Sequence, residues 1–131
     1  MTLSDRVWNE LADRYGEALR AVIRYHPTDF EARMRADLRS RYSDDDIQSF
    51  VDEAIVNYLN LGQQSESADP GEFHGTVRIF EDVWVFSRPD EPDAKAGFLI
   101  TLDRDGSVGI EAATEIEAFL AEEVAPERQS V

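Results

Sequence analysis

The sequence predicts an α+β domain: three N-terminal helices, a four-stranded antiparallel sheet made of two hairpins, and a C-terminal helix. Two observations lead there. As far as residue 62, apolar residues recur every three or four positions, the period of a helix; from residue 73 they alternate with the period of a strand. The two patterns occupy separate stretches instead of alternating, which argues against a parallel sheet. The chain has 131 residues, 42% of them hydrophobic. That is enough for one domain, with a helical part at 4–62 and the sheet and last helix at 73–124.

The first helix spans residues 4–24. Thr2 with Asp5, or Ser4 alone, caps its first amides. Val7, Leu11, Tyr15, Leu19 and Val22 form its apolar stripe, and Pro27 ends it by disfavouring helical geometry at His26. Thr28 with Glu31 makes a capping box for a second helix to about residue 40, faced by Phe30, Met34 and Leu38. Ser43 caps a third helix over 44–61, where Asp44, Asp45 and Asp46 meet the positive end of the helix dipole. Its stripe (Ile47, Phe50, Val51, Ala54, Ile55, Tyr58, Leu59) is the most hydrophobic of the chain, and Gly62 supplies a stop.

Residues 63–72 show no periodicity and read as a loop. Strands follow at 73–80 and 83–87 around Glu81-Asp82. Both faces of the second are apolar, so it is expected at the centre of the sheet or covered on both sides. After a loop at 88–95, residues 97–103 form a third strand. Arg104-Asp105-Gly106 turns the chain into a short fourth strand at 107–111. Thr114 with Glu117 caps the closing helix, whose apolar residues are Ile116, Phe119, Leu120 and Val124. Residues 125–131 are expected to form a flexible tail.

The charge excludes more than it identifies. Twenty-eight acidic residues against thirteen basic ones give −15. Such a chain repels polyphosphate and anionic membrane surfaces, so nucleic-acid and membrane binding are disfavoured. Lys95 is the only lysine; the other twelve bases are arginine. Acids spread along the chain with lysine almost absent read as adaptation to high salt, where a Debye length of about 3 Å screens self-repulsion. The absence of cysteine rules out disulfides, thiol catalysis and cysteine-ligated metals. No apolar run is long enough to span a membrane, and the N-terminus lacks the basic and apolar regions of a secretion signal. A cytoplasmic location is therefore expected.

One stretch runs against the charge. Residues 20–41 hold six arginines, among them Arg33, Arg35, Arg39 and Arg41. They read either as an anion or acidic-partner site or, more plainly, as counter-charges for Asp37 and Asp44–Asp46. Three helices followed by a hairpin also outline a winged-helix DNA reader, with 44–61 as recognition helix. That helix carries five acids and no base, the wrong sign for a phosphate-lined groove. Asp103-Arg104-Asp105-Gly106-Ser107 has the look of a calcium loop. In that frame, however, Thr101 and Ala112 occupy ligand positions, and a hairpin turn accounts for the run better. Two histidines cannot build a multi-histidine metal site. No nucleophile elbow, glycine-rich phosphate loop or dinucleotide fingerprint is present. No catalytic residue, metal or cofactor is therefore assigned. Phe73, Phe80, Trp84, Phe86 and Phe98 place five aromatics on the sheet. They read as packing or, for Trp84 and Phe86 in particular, as a ligand- or partner-binding face.

The run Gly71 to Arg88, with Gly97 to Gly106 after it, resembles small acidic proteins of halophilic archaea that have no assigned function. The resemblance covers most of residues 5–124 and implies no reaction or site residue. The expected role is a non-catalytic protein-interaction or regulatory module of a salt-adapted cytoplasm, working as a homodimer or with a protein partner. The alternatives are a small-ligand or anion sensor using the arginines or an aromatic pocket, and a winged-helix-like nucleic-acid binder.

Overall fold

The computed structural model describes residues 2–65, 71–92 and 94–129. Its architecture is α+β, but the sheet has five antiparallel strands, not four; the end of the first predicted helix and much of the second are strand.

Helix α1 (Leu3–Tyr15) starts as expected. The Thr2 hydroxyl accepts the Asp5 amide while the Asp5 carboxylate accepts the Thr2 amide. The helix ends at Gly16, whose φ of +59° is open to glycine at little cost. One 3₁₀ turn (Gly16–Ala18) leads into strand β1 (Leu19–Tyr25), where helix had been expected. The helical spacing of Leu19 and Val22 also fits a strand buried on both sides. Val22 belongs to the core under α1, and Ile23 and Tyr25 to the core on the opposite face.

The second predicted helix is likewise overturned. His26 donates its amide to the Asp29 carbonyl at 2.8 Å, closing a turn around Pro27. The chain returns as β2 (Phe30–Met34), and helix survives only in α2 (Ala36–Arg39). Glu31 caps nothing; it accepts a hydrogen bond from the Ser4 hydroxyl at 3.2 Å.

The third helix forms where the sequence placed it. Helix α3 (Asp44–Ser65) is capped by reciprocal Ser43–Asp46 hydrogen bonds, and it runs through Gly62 instead of stopping there. Of the predicted 63–72 loop, residues 63–65 continue α3 and 66–70 lie outside the described residues. Strands β3 (Thr76–Ile79), β4 (Val83–Pro89) and β5 (Gly97–Asp103) match expectation. The fourth predicted strand does not. Residues 105–108 bend instead, with Gly106 at φ +93° and the Asp105 carboxylate accepting both the amide and the hydroxyl of Ser107. Those bonds hold the Asp105 carboxyl below its usual pKa. Helix α4 (Glu111–Phe119) then begins before Thr114, so the Thr114–Glu117 box caps nothing. A π turn (Leu120–Val124) and α5 (Ala125–Gln129) follow it.

The strand order is β2-β1-β5-β4-β3. Helices cover both faces of the sheet. Beneath α1 and α4 lie Val22, Trp84, Phe86, Phe98, Ile100 and Leu102. Beneath α3 lie Ile23, Tyr25, Val85 and Leu99. This double burial explains why β1, β4 and β5 read as nearly continuous apolar runs. At Gly97 a side chain would run into the Arg88 carbonyl and the Tyr25 hydroxyl, so this end of the β4–β5 pair closes only on glycine. Among the described residues no helix is long and apolar enough to cross a membrane.

Candidate functional site

The site is built on the α3 side of the sheet, where α3 covers only part of the face. Between Leu19 and Ala21 the β1–β5 register shifts by one residue, leaving Arg20 as a bulge. A bulge re-aims the side chain it carries. Arg20 turns to the end of β5, where it donates to Asp103 at 3.0 Å. Arg35 donates to the same carboxylate at 2.6 Å, to Asp37 at 2.6 Å and to the Glu17 carbonyl at 2.8 Å. The Arg35 guanidinium holds the Asp37 carboxyl below its ordinary range. These bonds fix the end of β2 and the start of α2 against the sheet.

The two helices leave a cleft of about 740 Å³ beyond that corner. Ala21, Ile23, Val85 and Thr101 form its floor; Leu38, Ile47 and Phe50 come from the helices above, and Phe80 from the far rim. Alternation along β5 puts Thr101 on the same face as the core residue Leu99. Thr101 makes no hydrogen bond through its hydroxyl to any described residue. A mostly apolar cleft of this size with few polar groups has the character of a small-molecule site. Arg20, Arg41, Asp46, Glu81 and Asp82 contribute charge at its edges.

The six residues singled out in the sequence do not converge. Arg33 lies on the opposite face, where it pairs with Asp5 and covers the Trp8 ring at 5.4 Å. Its hydrogen bond holds the Asp5 carboxyl below the usual range. Arg35 serves the corner just described. Arg39 is exposed at the end of α2. Arg41 alone lines the cleft, with its guanidinium 5.8 Å from the Tyr42 ring centre. Trp84 and Phe86 are 7% and 6% exposed within the α1–α4 core. The plainer reading of the arginines thus describes Arg33 and Arg35. Cleft residues such as Thr101 and Ala21 carry no motif; only the pairing of β1 with β5 brings them together.

A second cleft, of about 370 Å³, lies between the later turns of α3 and β3, with Asn57, Asn60, Thr76, Arg78 and Ser87 in its walls. Among the described residues, no group of three histidine or acidic side chains could hold a metal ion.

Fold and clefts together define a small antiparallel-sheet domain clad by helices on both sides, with two clefts on its α3 face. The chain belongs to the DUF7522 family, described as a domain of unknown function, whose profile matches residues 5–121. The expectation of an uncharacterised family is met. No curated protein and no solved structure matches the chain significantly.

Proposed function

We propose that the protein is a non-catalytic binding module that holds a small, mainly apolar molecule in the α2–α3 cleft. One observation carries this reading: a cleft of about 740 Å³, floored by core-type side chains of three strands, lies open at the surface. No histidine lines it, and its carboxylates stand at the edge. The test is a thermal-shift panel of small apolar molecules. A molecule present at 100 times its Kd raises stability by about 2.7 kcal/mol. Ser49 is exposed on α3 and borders the cleft, so Ser49→Trp is expected to weaken a hit about tenfold or more while leaving the melting temperature of the free protein nearly unchanged. A flat panel, or a hit indifferent to Ser49→Trp, removes the reading.

A second reading, association of two copies, draws on the β3 edge. This strand pairs on one side only, and Val77, Ile79 and Phe80 on or beside it are 39%, 60% and 49% exposed. Unpaired strand edges with apolar side chains are natural sites of strand addition. Two chains of charge −15 repel each other unless salt screens them, and the charge excess is itself best understood as adaptation to a saline cytoplasm. Association is therefore expected to strengthen between dilute and molar salt, as read by light scattering. A monomer at both would end this reading.

A further inference from the structure

We propose that the second cleft, between α3 and β3, binds the carboxylate or phosphate group of a small molecule through Arg78. The β3–β4 register sets Thr76 opposite Ser87 and Arg78 opposite Val85. Val85 belongs to the core under α3, so alternation sends Thr76, Arg78 and Ser87 to that same side. There they meet Asn57 and Asn60 of the helix. Ser87 is only 4% exposed, and its hydroxyl faces that of Tyr25. One terminal nitrogen of Arg78 is buried and finds no hydrogen-bond partner among the described residues. Burying polar groups without a bond is costly, and an unpaired buried cation more so.

The contrast with the other arginines sharpens the point. Arg6, Arg20, Arg24, Arg33, Arg35 and Arg88, the other described arginines that are not exposed, each pair with a carboxylate. Arg78 pairs with none among the described residues, in a chain with acids to spare. Its guanidinium instead lies near two rings, 5.7 Å from the centre of Phe50 and 5.8 Å from that of Phe80. Contact with the rings steadies the guanidinium, and a fork not taken up by a carboxylate suits bidentate recognition of an oxyanion. Among the described residues, the walls of this cleft contribute one cation, several neutral donors and no acid. The larger cleft is edged by Asp46, Glu81 and Asp82, so an anion is favoured in the smaller one. This inference is independent of what occupies the larger cleft.

Calorimetric titration with inorganic phosphate and, separately, with benzoate, at constant ionic strength in chloride, tests it and distinguishes the two anion types. Saturable binding of one or both is expected. Arg78→Gln should weaken it about tenfold or more, and Arg41→Gln, in the other cleft, should not. Arg78→Gln could fail to fold, so Asn60→Asp provides a second probe. It places a carboxylate at an exposed position of the wall, and is expected to abolish anion binding while raising the melting temperature by pairing with Arg78. No binding of either anion to the wild type, equal loss in Arg78→Gln and Arg41→Gln, or undiminished binding in Asn60→Asp would overturn the proposal.

Discussion

Replacing Asp90 with alanine is expected to destabilise the fold by about 3–5 kcal/mol. Asp90 accepts two hydrogen bonds from Arg24, at 2.6 and 2.9 Å, a bidentate grip of the kind arginine forms best. The two side chains are 6% and 14% exposed, so water cannot replace the lost carboxylate. Arg24 also covers the Phe98 ring at 5.0 Å, at the end of the α1–α4 core. Removing Asp90 strands a buried guanidinium against that ring. The pair itself is worth far less than this loss, because both charges were desolvated to form it. Arg24→Met combined with Asp90→Leu is therefore expected to recover most of the stability. Denaturant unfolding in molar salt measures both variants without interference from surface repulsion. A single variant costing under about 1 kcal/mol would contradict the buried pair, and a double variant as unstable as the single would contradict the desolvation argument.

Trp84→Ala is expected to cost about 3–5 kcal/mol, the usual loss when a large aromatic is cut out of a core. The indole is 7% exposed among Phe86, Ile100 and Leu102. Its Nε1–H donates to the Val108 carbonyl at 3.3 Å, and Arg104 covers the ring at 5.3 Å. The residue thus pins the bend at 105–108 to the sheet as well as filling space. Trp84→Phe keeps an aromatic ring but gives up the hydrogen bond and part of the volume, so a smaller cost of about 1–2 kcal/mol is expected for it. A loss below about 1 kcal/mol for Trp84→Ala would mean that the side chain is not part of the core. Its sequence reading as a possible binding surface would then return.

The parts of the fold that were legible in the sequence are those where local signals and tertiary packing agree. Thr2–Asp5 and Ser43–Asp46 form caps because their oxygens satisfy amides that nothing else reaches. The strands at 83–89 and 97–103 were legible as short apolar runs bounded by turn residues, the pattern of central strands buried on both faces. Residues 18–34 misled for a physical reason. When both faces of a strand are buried, alternation disappears, and Leu19 and Val22 satisfy the helical period by coincidence. Two signals pointed the other way: Gly16, where α1 ends, and the β-branched pair Val22-Ile23. The C-terminal error is different in kind. Val108 and Ile110 have strand-like side chains, but the Asx turn at Asp105 and the anchoring of Val108 by Trp84 bend the backbone away. The candidate site was less legible than the fold. Arginines close together in sequence were read as one patch, whereas the β1–β2 hairpin carries Arg33 to one face and the chain carries Arg41 to the other. Arg78 reads in the sequence only as one of two bases on the hairpin, because its distinction, the lack of a carboxylate partner among the described residues, is revealed by the fold.

The junction of β1 with β5 joins Leu19 to Leu102, distant in the chain, while every other strand pairing is made within a local hairpin. The N-terminal ribbon and the C-terminal meander can each assemble by nearby contacts, but neither can dry its oily sides until they meet. The slow event in assembly is then the meeting of the two halves. Before it, two bare hydrogen-bonding borders wait in water, each a partner for any stray chain. A newly made molecule is thus most vulnerable to clumping just before that last closure, and mutual repulsion among its many acids would keep strangers apart in the interval.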